Sequence, residues 1–421
     1  MHYAIITYGT RGDVQPFVAL ALGLMDKGHR VTLLAPQNFN EFITGYGVTH
    51  YPLHGNAEEI LRSPEGVRML KTGNTVSLMR YMQKGGRAIQ PLVNRDILAG
   101  CADADLLIAS VLAVIWVRTV AEKLNKRWGV VNLNPPSTPT RAFPFAGLAY
   151  FNSPGYNLFT YKLLANLYWV LHQKDLNKFR ASLGLPALNR SVVKQQEDIL
   201  QLYAFSPQLI SRPTDWPGNT RITGFLTLPA LKREGHRMDR VPDGLMQWLQ
   251  NGDKPVYIGF GSMPVPNPQL LSHILNDLLT TTSHRIVFCK GWSIIPHLPV
   301  HASLFVVDHI NHEWLLPQCK AAVIHGGAGT TAAVLKAGIP VIIASVFGDQ
   351  PWWGNIISHK QLGFHIPFKK LTAAKLLNAI DSSQSAYMIS SVIKTAEQMN
   401  KENGVKAAVN AMEEYFAKSA I

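Results

Sequence analysis

The stretch His325–Gly354, HGGAGTTAAVLKAGIPVIIASVFGDQPWWG, decides which fold the second half of this chain is expected to adopt. An apolar strand is predicted over 321–324, and three of the four residues after the opening histidine are glycines, which allow a tight turn without a Cβ. A helix is predicted over 330–337, ended by glycine and then proline. The strand 341–346 then returns the chain to the same edge. This order is the strand–turn–helix–strand unit of a parallel α/β sheet.

The glycine-rich turn is suited to binding phosphate. The first turn of a helix leaves N–H groups unpaired and carries the positive end of the helix dipole. Gly327, Gly329 and Thr330 supply that turn, and His325 beside it can add a hydrogen bond or a positive charge. These four residues are therefore predicted to hold a phosphate group.

A polar corner follows the next strand. Asp349 and Gln350 place a carboxylate beside a carboxamide, which accept and donate hydrogen bonds in fixed directions and so suit sugar hydroxyls. Trp352 and Trp353 come next, and at least one of them is expected to pack in the core. A phosphate cradle next to a hydroxyl-binding corner predicts a nucleotide-sugar site.

Other interpretations of the same residues stay open. Residues 327–332, GAGTTA, fit the G-x-G-x-x-G/A dinucleotide fingerprint, with Asp349 at a suitable distance for a ribose contact. That would make the chain an NAD(P)- or FAD-dependent oxidoreductase. The histidine before the glycines and the Asp-Gln-Pro-Trp-Trp corner argue against it, because a ribose contact needs neither. A non-catalytic binder of sugar nucleotides is a further alternative.

Together these residues resemble the nucleotide-sugar signature of family 1 glycosyltransferases, in the branch of the sterol and glycopeptide-antibiotic glycosyltransferases. A second motif strengthens the resemblance: Tyr8–Phe17, YGTRGDVQPF, is similar to the Gly-Ser-Arg-Gly-Asp-x-x-Pro loop of that branch. The two motifs occur in the family's order near opposite ends of the chain. The resemblance implies an α/β fold of the GT-B type, with two doubly wound Rossmann-like domains facing each other across a cleft.

The resemblance also implies catalytic roles. Asp13 is expected to be the general base that removes the acceptor's proton in an inverting transfer, since plant relatives have a histidine there and this branch an aspartate. Asp13 follows the first predicted strand, at the edge where open α/β sheets place their sites. The alternative is an aspartate that only caps a helix or turn. Ser262, after a second glycine turn, is expected to join His325 in stabilising the departing diphosphate.

The donor is expected to be UDP-glucose or a related nucleotide sugar. Two positions differ from the plant signature: His309 stands roughly where a tryptophan stacks under uracil, and Ala333 stands where a glutamate grips the ribose. Uracil and thymine therefore both stay open as the base, and His309 is counted among the donor-binding residues. No cluster of histidine, cysteine and acidic residues with metal-ligand spacing is recognised in the sequence. Transfer is thus expected to need no metal and no cofactor besides the UDP-sugar co-substrate.

The acceptor is expected to be a small lipophilic alcohol or phenol, such as a sterol, terpenoid, polyketide or flavonoid. Residues 135–169 are rich in aromatic side chains among prolines and glycines, which predicts an apolar pocket or lid, with ordinary core as the alternative. Phe143 and Phe145 from this stretch, and Thr10 and Arg11 from the N-terminal motif, are the predicted acceptor-binding residues.

Charge and cysteine content exclude several classes of protein. The net charge is +13, but no helix-turn-helix, zinc or aromatic RNA-binding pattern accompanies it, so nucleic acid is not an expected partner. Arg80, Lys84 and Arg87 share one face of a predicted helix, which is either solvated or in peripheral contact with an anionic membrane. Three widely spaced cysteines and no recognisable signal peptide predict a cytoplasmic protein without disulfides.

The alternation of strands and helices predicts the domain organisation. Residues 1–220 are expected to form an N-terminal acceptor-binding domain and 242–400 a C-terminal nucleotide-sugar-binding domain, joined by a polar linker over 221–241. The last helix, within 401–421, is expected by resemblance to pack back on the N-terminal domain. The strands predicted outside the opening stretch are Tyr3–Tyr8, Arg30–Ala35, Leu106–Ser110, Gly129–Asn132, Val256–Phe260, Arg285–Phe288 and Leu304–Val307. A helix is predicted over Pro16–Lys27, ended by Gly28.

Overall fold

The structure of the protein is a computed structural model, which describes residues 1–72, 75–148, 151, 153–189, 199–228 and 241–418. The chain forms two compact units, each built around its own sheet. The first unit comprises Met1–Ala57, Gln83–Leu228 and Asn403–Ile421, and the second comprises Glu58–Met82 and Pro229–Glu402.

The first unit contains a seven-stranded, entirely parallel sheet. Its strands are β1 (His2–Ile6), β2 (Arg30–Pro36), β3 (Thr49–Leu53), β4 (Leu106–Ser110), β5 (Arg127–Asn132), β6 (Leu200–Tyr203) and β7 (Thr220–Ile222). The spatial order is β3-β2-β1-β4-β5-β6-β7. The direction of winding reverses between β1 and β4, and in open α/β sheets such a point marks the place where ligands bind.

The second unit contains a six-stranded parallel sheet in the order β10-β9-β8-β11-β12-β13. Its strands are β8 (Val256–Gly259), β9 (Ile286–Cys289), β10 (Leu304–Val307), β11 (Ala321–Ile324), β12 (Val341–Ile343) and β13 (Gly363–His365). The predicted α/β class, with a parallel sheet in each half, is confirmed.

Helices cover the sheets. Those of the first stretch are α1 (Arg11–Met25), α2 (Asn40–Thr44), α3 (Ala57–Arg62), α4 (Pro64–Thr72), α5 (Thr75–Gly100), α6 (Val114–Leu124) and α7 (Pro154–Ser182). After the first unit's last strand follow α8 (Leu245–Gln250), α9 (Pro268–Thr281), α10 (His312–Leu315), α11 (Ala328–Lys336), α12 (Gln350–His359), α13 (Ala373–Ser382), α14 (Ala386–Met399) and α15 (Gly404–Lys418).

The last helix, α15, packs against α1 in the first unit. Val409, Met412 and Phe416 of α15 join the apolar core that Phe17 contributes from α1. Gly23 of α1 permits this close approach, because a Cβ there would collide with a side chain of α15. The C-terminal segment thus belongs to the same compact unit as the N-terminus.

Three helices are among the elements that differ from the sequence prediction. Helix α1 was predicted to begin at Pro16 but begins at Arg11, because Asp13 hydrogen-bonds the backbone N–H of Thr10 and stabilises an earlier start. Helix α11 begins at Ala328, two residues before the predicted start. Helix α7 occupies much of the stretch predicted as a pocket or lid. Residues 229–240 of the predicted linker lie outside the described residues.

Candidate functional site

The carboxyl edge of the second sheet brings two glycine turns beside His325. Gly261 after β8 and Gly291 after β9 both have left-handed backbones, with φ of 58° and 54°. The amide of Trp292 donates to the carbonyl of Gly261 at 3.0 Å, and a Cβ on Gly291 would clash with that carbonyl. A Cβ on Gly261 would stand 3.8 Å from His325 Cε1. The turn that contains Ser262 and the turn after β11 are therefore neighbours.

Helix α11 starts without a side-chain cap, because the residue before it is Gly327. The first intrahelical bond runs from the amide of Thr331 to the carbonyl of Gly327 at 2.9 Å, so the amides of residues 328–330 have no acceptor within the helix. Gly329 is exposed, and nothing lies within 4 Å of a Cβ placed there. The helix start is thus open to an anionic ligand, as predicted for a phosphate site.

The imidazole of His325 lies beside this helix start. A Cβ on Gly327 would stand only 2.6 Å from His325 Nε2. Burial, and secondarily the nearby His312, lower the pKa of His325 to about 4, so the ring is neutral at pH 7. Its buried Nδ1 has no hydrogen-bond partner among the described residues. Of the two roles predicted for His325, the structure favours a neutral hydrogen-bonding group over a positive charge.

The polar side chains that follow β12 already form hydrogen bonds within their own segment of chain. Gln350 is buried, and its Oε1 accepts from the amides of Val346 at 2.7 Å and Phe347 at 3.2 Å. Trp353 is fully buried, as expected for at least one of the two tryptophans, and its Nε1 donates to Asp349 Oδ2 at 3.0 Å. The side-chain oxygen of Gln350 therefore holds the turn, and only its amide nitrogen remains to contact a sugar.

His309 follows β10 at the same edge of the sheet and is exposed. Sequence reasoning missed a pair in which the hydroxyl of the buried Tyr257 lies 2.9 Å from Nε2 of the half-buried His312. It also missed His365, whose ring nitrogens lie 2.8 Å from Ser345 Oγ and 3.1 Å from Asn355 Oδ1. No sequence signal reveals these contacts, because the partners are 10 to 55 residues apart in the chain.

In the first unit, Asp13 lies in the first turn of α1, after β1. Its Oδ2 accepts hydrogen bonds from the Thr10 amide at 2.8 Å and the Thr10 hydroxyl at 3.1 Å. Asp13 therefore takes part in capping α1. In the part of the chain that the structure describes, Asp13 Oδ1 has no hydrogen-bond partner. Burial raises the pKa of the Asp13 carboxyl above its usual range, opposed by the two Thr10 bonds.

Three of the predicted acceptor-binding residues, Thr10, Arg11 and Phe145, contact neighbouring side chains. Thr10 holds Asp13, and the guanidinium of Arg11 lies 4.3 Å from the centre of the Phe42 ring. Phe145 packs edge-to-face on Tyr161 with ring centres 5.6 Å apart. Phe143 is half-buried, in the same loop.

A histidine–carboxylate pair that the sequence did not reveal lies at the same edge of the first sheet. His54 directly follows β3, and its Nδ1 lies 2.5 Å from Asp96 Oδ2, which also accepts from the His54 amide at 3.0 Å. The Tyr8 hydroxyl donates to the His54 carbonyl at 3.0 Å. The partners are 42 residues apart, so spacing gave no signal.

All three cysteines are free and buried. Within the described ranges, no group of three or more histidine, cysteine or acidic side chains is arranged to hold a metal ion. Within the same ranges, no helix is both long enough and apolar enough to cross a membrane. The side chains of Arg80 and Lys84, on the predicted basic face, lie outside the described residues, whereas Arg87 pairs with Asp175 at 2.9 Å.

Two family models match the chain. Residues 3–144 match the glycosyltransferase family 28 N-terminal domain, and residues 281–408 match the erythromycin biosynthesis protein CIII-like C-terminal domain. Solved structures of similar fold include the glycosyltransferase of kitacinnamycin, with a TM-score of 0.69, 17% identity and 98% of both chains covered. Another is glycosyltransferase VinC in complex with DTDP, with a TM-score of 0.69, 16% identity, and 99% of this chain and 100% of VinC covered. These likenesses confirm the GT-B fold.

Relatives of known name are more similar in sequence. The sterol 3-beta-glucosyltransferase UGT80A2 of Arabidopsis thaliana is 34% identical over 98% of this chain, which spans 65% of that protein. UGT80B1 of the same plant is 32% identical, with 98% and 68% covered. The sterol 3-beta-glucosyltransferase of Debaryomyces hansenii is 32% identical over 100% of this chain, which spans only 27% of that longer protein. The chain therefore belongs to the family 1 glycosyltransferases of GT-B fold, in the branch that holds the sterol glucosyltransferases.

Proposed function

We propose that this protein transfers glucose, or a related hexose, from a UDP-sugar to a hydroxyl of a small lipophilic acceptor, with inversion at the anomeric carbon. The observation that carries the proposal is the uncapped start of α11 beside a neutral, partly unpartnered His325. The names of three relatives, all sterol 3-beta-glucosyltransferases, support a sterol-like acceptor, and the DTDP complex of VinC supports a nucleoside diphosphate ligand.

The diphosphate would bind at the start of α11. The free amides of residues 328–330 and the helix dipole favour a negative charge there. His325 would donate a hydrogen bond to a phosphate oxygen, and Ser262 would add its hydroxyl from the neighbouring turn. Because these donors are fixed before the reaction, they stabilise the charge that develops as the bond between the anomeric carbon and the diphosphate oxygen breaks.

The sugar and the base would be bound by the other predicted donor residues. Asp349 would accept hydrogen bonds from sugar hydroxyls. Gln350 would contribute its amide nitrogen and would otherwise keep the turn after β12 in place, since its oxygen accepts two backbone amides. His309, exposed at the end of β10, would lie against the base.

Asp13 would be the general base. Its Oδ2 is held by Thr10, which fixes the carboxylate, and Oδ1 would accept the proton of the acceptor hydroxyl. The acceptor oxygen then attacks the anomeric carbon on the face opposite the diphosphate, which inverts the configuration. A pKa raised by burial makes the Asp13 carboxylate a stronger base. Thr10, Arg11, Phe143 and Phe145 would line the acceptor side.

We propose further that the reaction needs neither a metal ion nor another cofactor. The helix dipole, the backbone amides and the histidine would together stabilise the negative charge that a magnesium ion stabilises in many phosphate-transferring enzymes. Activity should therefore be the same with and without EDTA, and a requirement for added magnesium would contradict this part of the proposal.

The function is tested by incubating the purified protein with UDP-glucose and a panel of steroid, terpenoid, carotenoid and flavonoid acceptors. A glucosylated product is expected with at least one lipophilic acceptor. UDP binding without any product would favour the non-catalytic binder. A melting temperature that rises with NAD and not with UDP would favour the oxidoreductase.

A further inference from the structure

The middle of helix α7 emerges from the core of the first unit. Near its N-terminal end, Asn157 and Tyr161 are buried, and Asn157 Nδ2 donates to the carbonyl of Arg141 at 2.8 Å. Near its other end, Arg180 is buried and makes two hydrogen bonds to Glu122, at 2.7 and 2.8 Å. No side chain from 162 to 175 is buried. The helix is therefore anchored at both ends and exposed between them.

This exposed middle is apolar. Phe159 is 57% exposed and Val170 58% exposed, and the exposed apolar side chains together are Phe159, Leu163, Leu167, Tyr168, Val170 and Leu171. We call these six residues the α7 apolar surface. Four of them recur at helical spacings of four, four and three residues, which aligns them along one side of the helix.

The usual distribution of polarity is inverted here. Asn157 and Thr160 are buried, whereas the adjacent Phe159 and Leu163 are exposed. Exposing several large apolar side chains side by side is unfavourable in water, and a contiguous surface of this kind marks an interaction site. The α7 apolar surface therefore requires a partner.

The charges around the surface indicate the chemistry of that partner. Lys162, Lys174 and Lys178 are exposed on α7 and have no hydrogen-bond or ion-pair partner among the described residues. The only acidic residue of the helix, Asp175, is paired with Arg87. Association of two copies through this surface would bring uncompensated lysines together. An anionic partner with an apolar interior would satisfy both the lysines and the apolar side chains.

We propose that α7 docks this protein on the surface of an anionic lipid bilayer. The apolar surface would enter the boundary between headgroups and acyl chains, and the three lysines would lie among the phosphates. Tyr168 and Trp169 are side chains that favour this interface. The helix would lie in the plane of the membrane, since no described helix is suited to crossing one.

Docking would give the enzyme access to its acceptor. A lipophilic alcohol partitions into the bilayer, so a transferase held at the surface meets a higher local concentration than one in free solution. This consequence rests on the proposed function. The docking itself does not, because it follows from exposure and charge alone and is measured without donor or acceptor.

Vesicle co-sedimentation of the full chain tests the proposal. We expect binding to vesicles of phosphatidylcholine with phosphatidylserine, weaker binding to phosphatidylcholine alone, and weakening by salt. The triple variant Leu163→Gln, Leu167→Gln, Val170→Gln should bind at least about tenfold more weakly. Replacing Lys162, Lys174 and Lys178 by Gln should weaken binding to the anionic vesicles alone, by about fivefold for each lysine.

The matched control is Ile294→Gln, which removes a 78% exposed apolar side chain from the second unit and should leave vesicle binding unchanged. Circular dichroism and thermal melting establish that each variant is folded. If the folded variant Leu163→Gln, Leu167→Gln, Val170→Gln still binds the anionic vesicles like the wild type, the proposal is overturned. The proposal is also overturned if sedimentation velocity shows that the wild type dimerises and this folded triple variant does not. If that variant loses turnover of a water-soluble acceptor without vesicles as strongly as it loses vesicle binding, the surface lines the acceptor site and the docking role is wrong.

Discussion

Two helix starts in this protein follow central strands of their sheets, yet they differ in how their first turn is satisfied. The first turn of helix α1 contains a carboxylate, that of Asp13, which accepts hydrogen bonds from the amide and the hydroxyl of Thr10. Helix α11 begins at Ala328; the preceding Gly327 offers no side-chain cap, and a neutral histidine lies beside it. A start that carries a negative charge disfavours an anion but holds a base rigidly. An open start binds an anion. This difference is our reason for proposing base chemistry in the first unit and diphosphate binding in the second.

The largest expected effect comes from Asp13. Asp13→Asn retains an oxygen that can accept from Thr10 but loses the basic carboxylate, so turnover should fall about 10²–10⁴-fold. Steady-state kinetics with UDP-glucose measures the loss, and calorimetry should give an unchanged affinity for UDP. Turnover at the wild-type rate would show that Asp13 is only a capping residue and would direct attention to His54 and its partner Asp96.

His325 should have the next largest effect, on nucleotide binding. His325→Ala removes a hydrogen bond to a charged phosphate oxygen, which is worth about 1.5–3 kcal/mol, so the Kd for UDP should rise about 10–150-fold. Calorimetry with UDP measures this change. An unaltered Kd would mean that His325 is a packed core residue.

A smaller effect should follow from adding a charge to the open helix start. Gly329→Asp places a carboxylate near the proposed diphosphate, and repulsion should weaken UDP binding at least about tenfold. Gly329→Ala is the matched control, since a Cβ at this position meets nothing within 4 Å. The alanine variant should bind UDP like the wild type and gain about 0.5–1 kcal/mol of stability from helix propensity. Equal UDP affinity in both variants would place the diphosphate elsewhere.

The smallest effect concerns pH and stability. The folded-state pKa of His325 is about 4, below the ordinary 6.5, so the neutral ring stabilises the fold above pH 6.5 and this contribution is lost as the pH falls toward 4. The melting temperature of the wild type should therefore fall more between pH 7 and pH 4.5 than that of His325→Gln. Identical decreases in both proteins would show that burial does not disfavour protonation of this ring.

The sequence was sufficient for the features that depend on local pattern. Short apolar runs predicted most strands of both sheets, because buried parallel strands are continuous in hydrophobicity. The turn at His325 was placed correctly, because the fold requires glycine there: Gly326 has a φ of 96°, and a Cβ on it would stand 2.7 Å from Ile343 Cγ2.

Features that depend on individual side-chain hydrogen bonds and on packing could not be predicted. Gln350 was expected to contact sugar, but its oxygen is held by the amides of Val346 and Phe347, a geometry fixed only when the turn closes. The start of α1 was missed because Pro16 is a typical first-turn residue, whereas the capping bonds of Asp13 act three residues away. The exposure of α7 also could not be predicted from the sequence, since an apolar helix is normally buried.

The most direct test of the difference between the two helix starts is calorimetric titration of UDP into the wild type, Asp13→Asn and Gly329→Asp, each folded by circular dichroism. We predict the same Kd for the wild type and Asp13→Asn, and a Kd at least about tenfold higher for Gly329→Asp. Equal weakening in both variants, or tight binding of NAD in place of UDP, would contradict the assignment of the diphosphate to the open start of α11.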